Sequence, residues 1–414
     1  MKKLLLSGCA SLLLLGSCVQ KTVTTGTNEI NVERAFEQLA DLKASDLASG
    51  IRYVALETTD SSLVGNAPII KLLNKHILVI SDKQCLLFDK QTGKFLRAIG
   101  HIGDDPQGYS SPNCEINPQN NLLYFPCQNK FIKYDLDGNY AGEAKFPTII
   151  DPAVDYFFTD SLIIGKYESL MGKAGVDNCR LLYFNEKGEK KDSLPSLLPG
   201  NQHALDDIAG ISVLKGASGD VYGLMGYNGA ILIDYKSGQK ANFPIMQLSM
   251  WENEGDIHFK ELFVDTIYSL KDRTLSPLIA FNTGKWHWPA EERNKVEGND
   301  DRLFISHVME TPKCIFFQCI QGLYKKATLF NGVYDKEKGS VKMNAGKEGF
   351  TDDFTQFMPI HPSACSPQGE YASVLEAGKI MEWLEEHPET SKEGKLSFLK
   401  EINEDANPVC VILE

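Results

Sequence analysis

The stretch "LLFDKQTGKF", residues 86–95, decides the fold. An apolar run ends at Asp89, a Gln-Thr-Gly turn follows, and apolar residues resume at Phe95. That is the pattern of a strand, a tight turn and a second strand. It recurs as "IKYDLDGNY" (132–140), "LLYFNEKGEK" (181–190), "ILIDYKSGQK" (231–240), "LIAFNTGKW" (278–286) and "GVYDKEKGSV" (332–341). The acidic or Asn residue before each turn is Asp89, Asp135, Asn185, Asp234, Asn282 and Asp335, so the steps are 46, 50, 49, 48 and 53 residues. Repeats of about fifty residues, each built on a hairpin, predict an all-β chain: a six-bladed β-propeller of four-stranded antiparallel blades. One blade alone leaves its apolar faces bare, so the six must pack in a closed ring. "IRYVALET" at 51–58 lies upstream of the first full unit and is placed to complete the last blade. Near the other end, "SVLEAGKIMEWLEEHPET" (373–390) predicts a short C-terminal helix that Pro388 limits.

Composition narrows the function classes. The chain has 414 residues, 43% hydrophobic and 23% charged, which is ample for a large core. Its formal net charge is −13, a balance that repels phosphate backbones and argues against nucleic acid as a partner.

The N-terminal "MKKLLLSGCASLLLLGSC" carries two lysines, a short apolar run and small residues before a cysteine, the layout of a targeting segment. Leu15-Gly16-Ser17-Cys18 resembles the lipobox of bacterial lipoproteins. That resemblance implies a signal peptide over 1–17 and lipid attachment at Cys18. Residues 18–50 then read as a tether and short N-terminal segment, of which 19–31 are polar and Thr-rich, and 51–414 as the propeller. No later stretch approaches the ~18–20 apolar residues needed to span a bilayer. The membrane is therefore met through the lipid anchor alone, and the expected location is the cell envelope.

"IRYVALETTDSSLVGN", "LLFDKQTGKFLRAIGHIGDDPQGY" and "FIKYDLDGNY" together resemble the six-bladed β-propeller lipoproteins of gut Bacteroidetes and, more distantly, the NHL repeat. In both, a blade ends in an Asp-x-x-Gly hairpin, and a Gly-rich loop leads to the next. The resemblance implies the fold and carries no activity with it. Here Asp104-Asp105-Pro106-Gln107-Gly108 stands where the family usually has Gly-Pro-Gly.

That loop, "GHIGDDPQGYSSP" (100–112), has glycines spaced as in a phosphate cradle, yet no lysine follows as a P-loop requires. Asp104 and Asp105 are adjacent rather than alternate, which does not suit a calcium loop. It reads instead as a joint between blades, with His101, Asp104 and Asp105 as weak ligand-binding candidates. The eight histidines are scattered without an H-E-x-x-H pair, and G-x-S-x-G is absent. The sequence implies no catalytic residue, no metal and no cofactor. A propeller can still bring His101, His203, His258 or His307 together at its channel mouth, and this keeps a carbohydrate-active hydrolase or lyase open as the alternative. In "GKWHWP" (284–289), a strand would set Trp286 and Trp288 on one face, a sugar-stacking platform or a docking patch. Of the cysteines, Cys114 and Cys127 flank "NPQNN"; a two-residue turn there would set them opposite each other, and a four-residue loop would separate them. The preferred function is a non-catalytic binding or scaffold module for a glycan or an envelope protein.

Overall fold

The structure is a computed structural model of the chain, and it describes residues 28–81, 83–148, 153–167, 180–198, 203, 205–214, 230–244 and 248–414. The signal segment and Cys18 lie outside the described residues.

Seven sheets are present among the described residues, and six of them form the ring. Blade 1 runs Ile69–Leu72, His76–Ser81, Gln84–Asp89 and Phe95–Ala98 from the axis outward. Blade 2 is Glu115–Asn117, Leu122–Cys127, Lys130–Tyr134 and Tyr140–Lys145. Blade 3 is Ala153–Phe158, Ile163–Tyr167, Arg180–Phe184 and Lys190–Pro195. Blade 4 is Met250–Asn253, Asp256–Phe259, Thr266–Lys271 and Thr274–Asn282. Blade 5 is Leu303–Glu310, Cys314–Gln321, Thr328–Asp335 and Ser340–Ala345. Blade 6 takes Ala364–Cys365, Tyr371–Leu375 and Val409–Leu413 from the C-terminal region, and Ile51–Ala55 pairs antiparallel with Val409–Leu413 to finish it. Closure by "IRYVALET" is thus borne out.

The ring is established by its cores. Leu87 and Ile99 of blade 1 pack with Leu123 and Phe125 of blade 2, and Tyr124 and Phe131 of blade 2 with Phe158 and Phe184 of blade 3. Ile164 and Leu181 of blade 3 meet Met250 and Phe259 of blade 4, whose Ile267 and Phe281 meet Ile305 and Phe317 of blade 5. Phe316 and Val333 of blade 5 pack on Tyr371 and Val411 of blade 6, and Ala372 and Ile412 of blade 6 on Ile77 and Phe88 of blade 1. Six interfaces close the circle.

The seventh sheet corrects the membership of the repeat. Ile208–Leu214, Ala230–Tyr235 and Lys240–Pro244 form a three-stranded sheet carrying the Asp234 hairpin. Blade 3 packs directly on blade 4, so this sheet lies outside the ring, with a small core of Ile233, Tyr235 and Ala241. Six blades stand, but the unit counted fourth is an accessory sheet and the closing blade was not among the counted hairpins. Asn282 also ends an outer strand rather than opening a hairpin; the turn of that blade lies at Asp272 and Arg273, both with positive φ.

Two terminal additions complete the molecule. Asn28–Asn31, at the end of the stretch read as tether, pairs parallel with Ile279–Asn282 as a fifth strand on blade 4. The helix Ala377–Glu386, shorter than the predicted stretch, is inserted within blade 6 and packs Ile380 into its core. No helix of the described residues is long and apolar enough to cross a membrane.

Candidate functional site

The loop 100–112 is built as a joint. The Tyr109 hydroxyl donates to Ile99 O at 2.9 Å, and its buried ring stacks on Phe125 with centroids 4.3 Å apart. Gly100 has φ +63°, and a Cβ there would come within 2.7 Å of the Tyr109 and Tyr134 rings. Asp105 accepts the backbone N–H groups of Gln107 and Gly108, at 3.0 and 3.1 Å, which folds the turn. His101 Nε2 donates to Asp105 Oδ2 at 2.6 Å on the exposed surface and holds that carboxyl below its ordinary range. Asp104 is exposed beside this pair.

The two tryptophans do not share a strand face. Thr283 and Gly284 end the strand, and Gly284–Trp286 forms a 3₁₀ turn with φ +53° at Gly284. Trp286 meets Phe36 edge-on at 4.8 Å, with the Lys285 ammonium 4.3 Å from its ring centroid. Trp288 is 3% exposed, packs on Phe263 and Tyr324, and donates Nε1–H to Glu292 O. A buried indole offers no face to a sugar, so the two tryptophans do not form a stacking platform.

The four histidines considered for the channel mouth go to separate places. His101 is on the joint, His203 stacks on Tyr235 of the accessory sheet, and His258 and His307 are buried in blades 4 and 5. Among the described residues no three His, Cys, Asp or Glu side chains stand at metal-binding spacing.

Buried charge instead bridges neighbouring blades, and Lys71, Glu115 and Asp155 form one sector on the inner strands of blades 1 to 3. Lys71 of blade 1 pairs with Glu115 of blade 2 at 2.5 Å. Burial works against the Lys71 ammonium, but Glu115 outweighs it and the group ends above its ordinary range. Asp155 of blade 3 accepts the N–H groups of Ser249 and Met250 at 2.7 and 2.9 Å. Deeper in the sector, buried Lys166 of blade 3 pairs with buried Glu261 of blade 4 at 3.1 Å. Glu261 also accepts Ser196 Oγ and Leu197 N, which ties down the chain as it leaves blade 3. Glu310 of blade 5 receives His258 Nδ1 and Trp251 Nε1 of blade 4 and its own blade's Lys336. Burial raises that carboxyl, yet the His258 and Lys336 contacts win and hold it below its ordinary range. These residues sit singly inside apolar runs such as "LFISHVME", where no motif spacing marks them.

The accessory sheet leaves the ring beside this sector. The chain departs after Leu198 and returns at Leu248, and Lys240 exchanges backbone and side-chain hydrogen bonds with Asn294 at 2.9 Å each. Leu197 and Leu248, at the two junctions of this excursion, and Ile211, within it, are among the exposed large apolar side chains, and Ile211 is 59% exposed.

Comparison with solved structures finds likenesses to the fold. A crystal structure of a Bacteroides fragilis protein described as exported aligns with a TM-score of 0.63 at 15% identity, covering 93% of this chain and 98% of that one. Two more distant likenesses are the WD40 domain of Neurospora crassa Pan2 (TM-score 0.30, 11% identity, 71% and 72% covered) and the extracellular domain of a hybrid two-component system of B. thetaiotaomicron (0.34, 10%, 78% and 40%). No curated protein matches the chain. A family model described as a domain of unknown function, DUF4934, covers residues 27–414. With nearly its whole length inside that model, the chain belongs to the DUF4934 family.

Proposed function

We propose that the protein is an exported propeller, held at the cell envelope by lipid on Cys18, that serves as a non-catalytic docking module for another envelope protein. The observation that carries this reading is the accessory sheet. The ring closes through six cores without it, so the sheet is not needed for closure. Among the described residues its own core is small, with Ile233, Tyr235 and Ala241 buried. Exposed apolar side chains at its two junctions and on its strand Ile208–Leu214 supply surface that a protein partner would cover. Loss of the tryptophan platform favours a protein over a glycan. Export is supported by the description of the B. fragilis structure and by the lipobox-like Leu15-Gly16-Ser17-Cys18.

A photo-crosslinking residue at position 211, on intact cells, tests the reading against the same residue at Leu96 on blade 1, which is also exposed. A discrete adduct with one envelope protein from 211 and none from 96 is expected. Equal labelling at both positions, or selective binding of the purified chain on a glycan array, would overturn it.

A further inference from the structure

Blade 5 carries a row of polar side chains through its core. Its strands pair His307 with Gln318, Gln318 with Asn331, and Asn331 with Asn344, one residue from each strand in direct register. Directly opposed residues of antiparallel strands project to the same face. The row therefore runs from the innermost strand to the outermost, and its members are 7%, 4%, 2% and 2% exposed. Apolar rows flank it on that face: Phe304, Ile320 and Leu329 on one side, and Met309, Phe316 and Val333 on the other.

The row is only partly satisfied by protein. Gln318 Nε2 donates to Asn331 Oδ1 at 3.1 Å, Asn331 Nδ2 to Gly346 O at 3.3 Å, and Asn344 Nδ2 to Gly349 O at 2.6 Å. Three buried atoms have no protein partner: His307 Nε2, Gln318 Oε1 and Asn344 Oδ1. An unmet buried polar group costs about 1–3 kcal/mol. Such groups in native proteins are met by an internal guest, most often water.

The chemistry selects the guest. Two of the three atoms are amide oxygens, which accept and repel an anion. Lys260 of blade 4 reaches the same strand, its Nζ donating to Ile305 O at 2.9 Å, and its charge disfavours a cation nearby. Burial, then Lys260, holds the His307 imidazole down at about 4, so the ring is neutral and has one lone pair and one N–H. A neutral hydroxyl can donate to Gln318 Oε1 and serve His307 Nε2 in either tautomer.

We propose that the row is a hydrated seam: one internal water bridges His307 Nε2 and Gln318 Oε1 at the inner end, and a second donates to Asn344 Oδ1 near the outer edge. The seam also fixes pairing. A one-residue slip of any strand would turn its polar member to the opposite face, among Ile305, Phe317 and Phe330.

The test is a crystal structure of the full chain at a resolution that shows ordered water, with oxygen-17 relaxation to count long-lived internal waters in solution. The expected result is a density peak within hydrogen-bond distance of both His307 Nε2 and Gln318 Oε1, and another at Asn344 Oδ1. His307→Phe, which leaves the Gln318–Asn331 hydrogen bond in place, should remove the first peak alone and lower the solution count by one; His307→Leu serves if that variant does not fold. A direct His307–Gln318 hydrogen bond with no peak between them overturns the proposal. So does a peak with ligand distances of about 2.0–2.6 Å, which marks a metal ion, or an unchanged count in the variant.

Discussion

Asp155 Oδ2 accepts the backbone N–H of Ser249 at 2.7 Å, joining blade 3 to the residue that precedes the first strand of blade 4, where the chain returns from the accessory sheet. The bond closes the ring across that long excursion, and it is set beside Glu115 and Lys71. Burial first, then repulsion from Glu115, pushes the Asp155 carboxyl up to about 8, against the pull of the two amides and Lys71. An unfolded Asp titrates near about 3.9, so the folded state keeps this proton to higher pH. The contribution is complete below about pH 4 and is lost as pH rises through about 8. Asp155→Asn abolishes the titration. The urea midpoint of wild type should therefore fall relative to the variant between pH 5 and pH 8.5, and a pH-independent difference would contradict the assignment.

At the joint between blades 1 and 2, backbone space rather than charge is limiting. A Cβ on Gly108 would lie 2.4 Å from Gly103 O, and neither segment of this crossed loop can move freely. Gly108→Ala should cost about 1–3 kcal/mol, the usual range for overpacking, and lower the melting temperature accordingly. His101→Ala and Asp104→Ala alter only exposed side chains and should leave it unchanged. A marked drop with either would give the charged residues a structural role that the geometry does not assign them.

The hairpins were legible because their chemistry is local. Gly93, Gly138, Gly188, Gly238 and Gly339 all take positive φ in their turns, whichever sheet they serve. That locality also explains the misplaced unit, since Tyr235–Lys240 turns like any blade hairpin and only the packing of Ile164 on Met250 shows it to be outside. The closing blade shows no hairpin signature in sequence because residues 376–408, including the helix, interrupt its strands. The alternation of Trp286 and Trp288 fits a strand, but the strand ends at Asn282 and the 3₁₀ turn Gly284–Trp286 parts the two rings. The buried charges could not be anticipated at all: Lys71, Asp155 and Glu310 find partners on other blades, and single-residue spacing carries no record of ring neighbours.

Replacing residues 203–244 with a flexible linker of about seven residues tests the independence of the ring. Ser196, Leu197 and Leu198 are retained, so the contacts with Glu261 survive. A soluble monomer with near-ultraviolet dichroism intact and a melting temperature within a few degrees of wild type is expected. Loss of the cooperative transition would mean that the sheet contributes to closure.

Cys114 and Cys127 should both be free. Ile116 pairs with Leu123 and Asn117 with Leu122, so the connection is the longer loop, and Cys127 lies opposite Lys130 instead. Cys85, Cys114, Cys314, Cys319 and Cys410 are buried, and burial pushes the Cys410 thiol up to about 12. Alkylation under native conditions should spare these five, and alkylation after denaturation without reductant should label both Cys114 and Cys127. A mass deficit of about two daltons on a peptide pair linking them would refute this.

The N-terminal strap separates anchoring from stability. Phe36 wedges edge-on between Trp286 and Phe330, at 4.8 and 4.9 Å, after the strand Asn28–Asn31 has paired with blade 4. Full burial of a Phe makes its removal cost about 3–5 kcal/mol; Phe36 is half-buried, so Phe36→Ala should cost about 1–3 kcal/mol. Cys18 lies ten residues before Asn28 in the sequence, and its removal should leave the melting temperature alone. Cys18→Ser is instead expected to shift the protein from the membrane pellet to the soluble fraction. Phe36→Ala should stay in the pellet while melting lower. If Cys18→Ser remains membrane-bound, the lipid assignment fails; if Phe36→Ala melts like wild type, the strap is not part of the folded unit.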